Sequence, residues 1–304
     1  MANQPLVSIG VPAFKTVFLK EAITSLLRQT YTNIEVVIVN DCSPYPVRDI
    51  VEQFGDSRIR YFENEKNVGK NDPANNWNRC LEYSHGEYFC LLCDDDLYDP
   101  LFVESMLALA AKFPKTNVFR SRVSYINKDG EVTGFYPSSP VWETTIDYVW
   151  HVCNNYRYQT ISEFFYRRKR LTECGGYANL PLAWYADYLS VYRFSELGGI
   201  ASDSRCLVHF RQSGENISSK DNENIIPKLQ ASQQYIEGTE KIIRASDFPQ
   251  KEHLVNVLNY RVSVITNWHL SHTPFVTLLT LVGKHKSLGI TKKQIWRALT
   301  HHHS

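Results

Sequence analysis

Three aspartates stand side by side in the segment CLLCDDDLYDP, residues 90 to 100, directly after an apolar run. The negative charges of Asp94, Asp95 and Asp96 repel one another, so something must offset the repulsion. A hard divalent cation does so, because Mg²⁺ binds one or two carboxylates together with the phosphates of a ligand. Helix capping and solvated surface charge are the alternatives. The next helix already has a capping residue in Asp99, which favours the cation.

Cys90 and Cys93 have C-x-x-C spacing in the same segment. The sequence has no second such pair to complete a zinc site. We interpret both as small buried residues. The chain's seven cysteines are scattered and odd in number. They indicate the reduced thiols of a cytoplasmic protein rather than a disulfide framework.

The first hundred residues alternate between short apolar strands and helices. Runs rich in β-branched residues, such as IEVVIVN, predict buried strands when turn residues follow them. Apolar residues spaced along one helical face predict the helices between them. The predicted strands are 6–14, the first part of 34–44 (whose last residues form a loop), 59–64, 87–93 and 117–127. The predicted helices are 19–30, 47–54, part of 71–86, and 100–113. This order predicts an α/β fold with a doubly wound, Rossmann-like sheet.

The aspartates lie at the edge of this sheet where ligands bind, beyond the carboxyl ends of the strands. The loops VPAF and NDCS follow the first two strands and share that edge. The phosphate loops G-x-G-x-x-G and G-x-x-x-x-G-K-[ST] are absent, and so are H-E-x-x-H and G-x-S-x-G. The sequence therefore indicates a nucleotide-binding fold that holds a diphosphate through a metal ion.

The composition is that of an ordinary globular protein. Of 304 residues, 43% are apolar and 21% charged, and the formal net charge is +1. A nearly neutral chain gives no reason to expect nucleic acid as a partner. The N-terminus does not read as a secretory signal, and no apolar run of about 18 residues occurs. We expect a cytoplasmic protein without a membrane span.

Five segments, in order, resemble the family-2 glycosyltransferases of the GT-A fold, which are inverting enzymes with nucleotide-sugar donors. The segments are PLVSIGVPAFK, SLLRQTYTNIEVVIVNDCSP, NEKNVGKNDPANNWNRCLEYSHGEYFCLLCDDDLYDP, LAWYADYLSVYRFSELG and VHFRQSGENIS. The resemblance implies a catalytic domain over residues 1–220, with a nucleotide-sugar-binding half (1–99) and an acceptor-binding half (100–220). From about residue 222, long helical patterns without strand signals predict a helical C-terminal region, residues 221–304.

The resemblance also implies a nucleotide site. Asp41 corresponds to the residue that holds the base, which we expect to be uracil or a relative. Pro12 and Phe14 correspond to the lining of the base and ribose pocket. Asp94 is expected to take over a ribose or metal contact, because Cys93 stands at the position of the family's first motif aspartate. Asn40 stands where the family often has aspartate, so the base contacts depend on Asp41.

The D-x-D motif of the family aligns with Cys93 and Asp95, so a cysteine replaces its first aspartate. The resemblance implies Asp95 as the main ligand of Mg²⁺ or Mn²⁺, with Asp96 beside the metal or on the acceptor side. Ser213 stands where the family often has a histidine that completes the metal or diphosphate site. His209 lies on a predicted strand and is interpreted as a core or pocket histidine.

Asp187 matches the family's general base. The alternative role for Asp187 is structural, because the helix dipole favours an aspartate in the first turn of a helix. The two roles are compatible. Trp184 and Tyr185 are candidates for stacking on an acceptor sugar, and ordinary core packing is their alternative.

The implied function is inverting transfer of a sugar, from a donor expected to be UDP-linked, to a saccharide or lipid-linked saccharide in cell-surface polysaccharide synthesis. One alternative is a non-catalytic sugar- or nucleotide-binding protein on a decayed transferase scaffold. Cys93 and Ser213 favour that alternative, whereas Asp95 and Asp187 disfavour it. A sugar nucleotidyltransferase is disfavoured because VPAFKTVF has no glycine.

The C-terminal segment, residues 253–304, which we call the tail, is basic although the whole chain is nearly neutral. Residues 253–304 contain six lysines or arginines and no aspartate or glutamate. The apolar side chains of ITKKQIWRAL are predicted to share one helical face, which is typical of an interfacial membrane helix. Those side chains are Ile290, Ile295, Trp296 and Leu299. We therefore expect peripheral contact with the inner face of a membrane through residues 284–304. Packing on the catalytic domain or on a second subunit of a homo-oligomer is the alternative.

Overall fold

The computed structural model describes residues 4–212 and 225–301, and within these ranges a ten-stranded sheet is flanked by helices. The strands are β1 (Val7–Ala13), β2 (Ile34–Asn40), β3 (Ile59–Glu63), β4 (Tyr88–Leu91), β5 (Leu97–Tyr98), β6 (Val118–Ile126), β7 (Val132–Phe135), β8 (Trp142–Glu143), β9 (Phe164–Arg167) and β10 (Ile200–Arg211). The α-helices are α1 (Leu19–Leu27), α2 (Val47–Glu52), α3 (Ala74–Glu82), α4 (Phe102–Lys112), α5 (Thr145–Cys153), α6 (Arg168–Glu173), α7 (Ala186–Ser195), α8 (Ile225–Ala245), α9 (Lys251–Ser271), α10 (Phe275–Lys284) and α11 (Lys292–His301).

The sheet is mixed. Its strand order is β3-β2-β1-β4-β9-β6-β10-β5, with β7 paired to β6 and β8 paired to β10. Strands β3, β2, β1 and β4 pair in parallel, whereas β9 runs antiparallel to both β4 and β6. The predicted α/β class with a doubly wound sheet is confirmed.

Strand β2 shows why the sheet is buried on both faces. All seven of its residues are buried. Val37 and Val39 belong to one hydrophobic core, and Val36 and Ile38 belong to the other. Side chains alternate between the faces of a strand, so a continuous apolar run supplies both cores. The loops at the carboxyl ends of these strands therefore start from rigid positions.

The expected capping of α4 by Asp99 is wrong. Helix α4 begins at Phe102, and its N-cap residue is Leu101. The Asp99 carboxylate instead accepts a hydrogen bond from the Leu101 N–H, at 2.9 Å, in the turn before the helix. Asp99 thus organises the approach to α4 without capping it.

The helical C-terminal region is confirmed, and its first helix packs on the sheet domain. Tyr235 of α8 stacks on Tyr185 with ring centroids 4.4 Å apart. The Tyr235 hydroxyl lies 3.1 Å from that of Tyr192 on α7. Residues of α8 and α9 belong to the same hydrophobic core as one face of the sheet.

The predicted apolar face of the tail helix is mostly turned inward. Ile290 and Ile295 are buried and Leu299 is partly buried, in a third core to which α8, α9 and α10 also contribute. Of the four predicted side chains, only Trp296 is exposed, at 69%. Three of the four side chains thus help close a core between helices, which favours the packing alternative, and membrane contact through residues 284–304 stays a prediction. Within the described ranges, none of the helices combines the length and hydrophobicity that crossing a bilayer requires.

Candidate active site

The three consecutive aspartates form a buried turn after β4. Asp94, Asp95 and Asp96 are 8%, 7% and 0% exposed. Solvated surface charge is therefore excluded as their role. Burial of three neighbouring carboxyls is costly unless partners or a cation compensate.

Asp94 joins this turn to the loop after β1. Its Oδ2 accepts hydrogen bonds from the backbone N–H groups of Phe14, at 2.9 Å, and Lys15, at 2.7 Å. Burial and the charge of Asp95 raise the pKa of the Asp94 carboxyl to about 6, although these two N–H groups lower it. The predicted nucleotide residues Phe14 and Asp94 are thus brought into contact.

Asp95 and Asp96 have different surroundings. Asp95 Oδ2 lies 3.7 Å from Lys15 Nζ. Both oxygens of Asp96 already accept hydrogen bonds, from Ser162 Oγ at 2.6 Å and from the Arg211 N–H at 3.0 Å. Burial raises the pKa of both carboxyls, and the neighbouring charge of Asp95 adds to the effect on Asp96. Asp95 is therefore better placed than Asp96 to bind a cation directly.

These residues fit a hard divalent cation. One ligand atom each from Cys93, Asp95 and Asp96 lie within 4.8 Å of one another. Burial and the three carboxylates raise the pKa of the Cys93 thiol well above its usual value, so the thiol stays protonated. A protonated thiol is a poor ligand, and carboxylate oxygens are the ligands that Mg²⁺ and Mn²⁺ prefer. A bound cation would also offset the repulsion that contributes to these raised pKa values.

Three supporting residues were missed by the sequence reasoning. Lys15 directly follows the predicted nucleotide loop, so its position at the same edge was a usable signal. Arg211 is fully buried, and its Nε donates to the Asp95 carbonyl at 2.9 Å. Ser162 is far away in the sequence and has no local motif that would mark it.

Asp41 holds the loop after β3 in place through hydrogen bonds. Its carboxylate accepts hydrogen bonds from Asn64 Nδ2, the Val68 N–H and the Gly69 N–H, each at 2.8 Å. A Cβ added to Gly69 would lie 2.7 Å from Asp41 Oδ2, so a side chain there would push the carboxylate away. A carboxylate has about four acceptor positions, which leaves room for one more donor.

The other residues of the predicted nucleotide site lie close by. Pro12 and Phe14 are half-buried at the end of β1. Asn40 has a structural role, because its Oδ1 accepts from the Ser43 N–H at 3.0 Å and its Nδ2 donates to the Tyr61 hydroxyl at 2.9 Å.

Asp187 lies in the first turn of α7, after a strained segment. Leu182, Ala183 and Tyr185 have φ values of 61°, 51° and 64°. Such values are uncommon for residues other than glycine, and they persist where the surrounding structure enforces them. The strained residues lie directly before α7, so they fix where the helix begins and place Asp187 in its first turn.

A hydrogen-bond chain orients the Asp187 carboxyl. Gln159 Nε2 donates to Asp187 Oδ2 at 3.1 Å, and the Tyr148 hydroxyl donates to Gln159 Oε1 at 2.8 Å. Burial raises the pKa of the Asp187 carboxyl to about 6, although the hydrogen bonds from Gln159 and from the backbone N–H of Tyr188 lower it. A carboxyl with this pKa is ionised at neutral pH and remains basic enough to accept a proton.

A buried ion pair lies beside this chain. Arg120 Nη2 is 2.7 Å from Glu163 Oε1, and both side chains are almost completely buried. The Arg120 guanidinium also lies 5.3 Å from the centre of the Tyr148 ring. Burial raises the pKa of the Glu163 carboxyl, although the charge of Arg120 lowers it, and the negative charge of Asp187 adds to the rise. The two carboxyls are therefore near enough to interact.

Residues 159–163 connect the two groups of carboxylates. Gln159 binds Asp187, and Ser162 binds Asp96. Because only three positions separate Gln159 from Ser162, the same short segment supports both sites. The fold thus links the predicted base and the predicted metal site through one segment, although they are far apart in the sequence.

Trp184 and Tyr185 face the C-terminal helices. Lys228 Nζ lies 4.7 Å from the centre of the Trp184 ring, and the rings of Trp184 and His269 are 5.3 Å apart. Tyr185 stacks on Tyr235 of α8. These contacts favour core packing over an open stacking surface, and an acceptor role for either ring stays a prediction.

His209 lies on β10 and is half-buried. Its Nδ1 is 2.6 Å from Ser124 Oγ, and burial lowers the pKa of the ring. This agrees with the pocket or core role expected for it. Ser213 lies outside the described residues.

Comparisons with known proteins identify the family. The model of "Glycosyl transferase family 2" matches residues 8–178. The chain is 25% identical to an uncharacterized glycosyltransferase of Haemophilus influenzae over 230 residues, 72% of this chain and 69% of that protein. It is 38% identical over 115 residues to an uncharacterized glycosyltransferase of Rickettsia typhi, covering 38% of this chain and 35% of that protein.

A relative with a more specific name comes from Campylobacter jejuni. It is a GalNAc(5)-diNAcBac-PP-undecaprenol beta-1,3-glucosyltransferase, 35% identical over 95 residues, with 30% of each chain covered. The matches to the Rickettsia and Campylobacter proteins therefore span about a third of the length of those relatives.

Solved structures share the fold. S. aureus TarS residues 1–349 in complex with UDP-GlcNAc matches with a TM-score of 0.67 and 17% identity, covering 83% of this chain and 70% of that one. The mannosyltransferase PcManGT of Pyrobaculum calidifontis, in complex with GDP-Man and Mn²⁺, matches with a TM-score of 0.57 and 14% identity. The match covers 99% of this chain and 84% of that chain. Since the family model covers more than half of the chain and the architecture agrees, this chain belongs to glycosyl transferase family 2 and has the GT-A fold.

Proposed function

We propose that this protein transfers a sugar, with inversion, from a nucleotide-sugar to a saccharide or lipid-linked saccharide. The observation that carries the proposal is the segment 159–163, which holds Asp187 through Gln159 and Asp96 through Ser162. A base and a diphosphate site must act on opposite sides of one sugar carbon in such a displacement. The shared segment supports the placement of both at one cleft.

The reaction is a direct displacement at the anomeric carbon. Asp187 accepts the proton of the acceptor hydroxyl as the hydroxyl oxygen bonds to that carbon. The bond from the carbon to the diphosphate oxygen breaks, and the nucleoside diphosphate leaves with the electron pair. Gln159 keeps the carboxylate of Asp187 oriented, and Lys15 lies beside the aspartates where the diphosphate is expected. A base so positioned typically contributes about 10²–10⁴-fold to the rate.

We assign the cation site to Asp95, with Asp96 supporting it and Asp94 contacting ribose or metal. Mg²⁺ or Mn²⁺ bound there would stabilise the developing charge of the diphosphate as a Lewis acid. The three carboxyls are consecutive and buried, and ligand atoms of Asp95 and Asp96 lie within 4.8 Å of one another, which supports a cation at this position.

We assign the nucleotide to the pocket of Pro12, Phe14 and Asp41, and we propose UDP as its diphosphate. The S. aureus structure that carries UDP-GlcNAc supports uridine, whereas the Pyrobaculum structure carries GDP-Man, so the base must be tested. The remaining acceptor position of the Asp41 carboxylate suits an N–H of the base.

We propose a lipid-linked saccharide as acceptor, used in cell-surface polysaccharide synthesis at the inner face of a membrane. The name of the Campylobacter relative, which contains PP-undecaprenol, supports this acceptor class. Seven free cysteines support a reducing, cytoplasmic location.

A panel of nucleotide-sugars tests the function. The protein is mixed with UDP-, GDP- and dTDP-sugars and Mn²⁺, with and without saccharide acceptors, and the released nucleoside diphosphate is measured. We expect release with one nucleotide class and a product of inverted anomeric configuration by NMR. Tight donor binding without any release would instead support the non-catalytic binding protein.

The fall of kcat at acidic pH should reflect protonation of the Asp187 carboxyl. Because the pKa of this carboxyl is about 6, kcat should fall as the pH drops below about 6, when the base becomes protonated. Gln159→Leu removes a donor to the carboxylate, so the pKa should rise and the fall in kcat should begin at higher pH. The measurement is kcat against pH at saturating donor and acceptor, with the exposed Gln53→Leu as control. Superimposable profiles for wild type and Gln159→Leu would remove Gln159 from this role.

A further inference from the structure

Helix α10 is apolar on its outer side as well as its inner side. Leu278 and Leu281 are buried in the core between the C-terminal helices. The outer side carries four large apolar side chains that are 47%, 73%, 51% and 41% exposed. In that order they are Phe275, Val276, Leu279 and Val282. Four such side chains on one short helix form a continuous stripe, which a globular surface seldom leaves uncovered.

Trp296 of α11 extends this stripe. It lines a groove of about 350 Å³ together with Val282 and Leu299. Lys292 and Lys293 line the same groove and are exposed. We call the stripe and Trp296 the α10 face. Its members are Phe275, Val276, Leu279, Val282 and Trp296.

The charge of the C-terminal segment that contains α10 and α11 indicates the kind of partner. Residues 253–304 contain six lysines or arginines and no aspartate or glutamate. A symmetric dimer through the α10 face would place Lys292 and Lys293 of both copies in one interface, and residues 253–304 supply no acidic side chain to pair with them. The positive charges would then oppose that interface. An anionic surface satisfies the lysines and the apolar stripe at once, and Trp prefers the boundary between apolar and polar layers.

We propose that the α10 face docks on an anionic lipid bilayer. Phe275, Leu279 and Val282 enter the boundary between headgroups and acyl chains, and Lys292 and Lys293 contact the headgroups. The inference rests on the proposed function and deepens it, because it places the enzyme where a lipid-linked acceptor resides. It differs from the sequence-based expectation, since the contact lies mainly on α10 and not on the inward-facing side of α11.

Co-sedimentation of the full chain with vesicles tests the proposal. The vesicles contain phosphatidylcholine alone or mixed with phosphatidylglycerol, and no donor or acceptor is added. We expect binding to the anionic vesicles at low salt and release at high salt. Lys292→Gln/Lys293→Gln should weaken binding by about fivefold per lysine. The matched control Lys112→Gln/Lys115→Gln removes the same charge at the exposed end of α4, in the sheet domain, and should bind as wild type.

The apolar part is tested separately. Leu279→Ser/Val282→Ser should also weaken binding, whereas Val132→Ser/Phe135→Ser, at positions that are 54% and 56% exposed on β7, should not. All four positions are exposed, so the variants should fold, and thermal unfolding checks that they do.

Two results would overturn the proposal. One is vesicle binding that neither the lysine variant nor the α10 variant reduces. The other is no binding of the wild type to the anionic vesicles at low salt; a concentration-dependent dimer that Leu279→Ser/Val282→Ser abolishes would then assign the α10 face to a second copy. Turnover of a soluble acceptor by the same variants is measured in parallel, so a failure of the transferase assay leaves the vesicle result interpretable.

Discussion

Asp187→Asn should abolish sugar transfer while donor binding stays nearly unchanged. We expect kcat to fall by about 10²–10⁴-fold, because asparagine cannot accept the proton of the acceptor hydroxyl. The substitution conserves shape, and the base acts on the acceptor rather than on the nucleotide. The loss should therefore appear in the chemical step and not in donor affinity. Steady-state kinetics and calorimetry with the nucleoside diphosphate measure the two effects.

A matched control separates this role from a helix effect. Asp49 is an exposed aspartate in the first turn of α2, as Asp187 is in the first turn of α7. Asp49→Asn loses the same favourable interaction with a helix dipole, so it should change stability slightly and turnover not at all. Near-wild-type turnover in a folded Asp187→Asn variant would remove Asp187 from the mechanism.

Asp95→Asn should remove the dependence of nucleotide binding on a divalent cation. For the wild type, we expect UDP to bind tightly with Mn²⁺ and weakly in excess chelator. Mutation of a residue that only hydrogen-bonds to a metal ligand typically lowers metal affinity by about 10–100-fold. Loss of a direct ligand should lower metal affinity by at least as much. The metal-free affinity should stay equal or rise, because the substitution removes a negative charge near the diphosphate and frees Lys15 from its contact with Asp95.

Calorimetry with UDP, with Mn²⁺ or with chelator, measures this for both proteins. Asp129→Asn, at an exposed position in the turn before β7, controls for the change in net charge. The same wild-type affinity in chelator and in Mn²⁺ would show that Asp95 holds no metal that matters for binding.

Local sequence was sufficient to predict the first half of the sheet and the position of the aspartates. Runs such as IEVVIVN fill two cores at once, so local composition is enough to predict a buried strand. Residues directly after such a strand must lie at its carboxyl end. The location of Asp41 and of Asp94 to Asp96 at the same edge follows from chain order alone.

The partners of these residues depend on tertiary contacts. Asp96 accepts hydrogen bonds from Ser162 and Arg211, and Asp187 accepts one from Gln159, across separations of 66, 115 and 28 residues. Short motifs describe neighbours in the chain and carry no information about such contacts. Asp99 shows that even a local pattern can fail to predict a hydrogen-bond partner. Its carboxylate accepts from the Leu101 N–H in a turn instead of capping α4.

The tail shows why periodicity cannot assign a partner to an apolar face. The spacing of Ile290, Ile295 and Leu299 specifies a face, and that face would suit a bilayer, a second subunit or a core equally well. Packing of α11 among the C-terminal helices buries Ile290 and Ile295, and it leaves the outer side of α10 and Trp296 exposed. Which apolar surface remains for a partner depends on how much area each helix buries against the others, and only the assembled helices determine that.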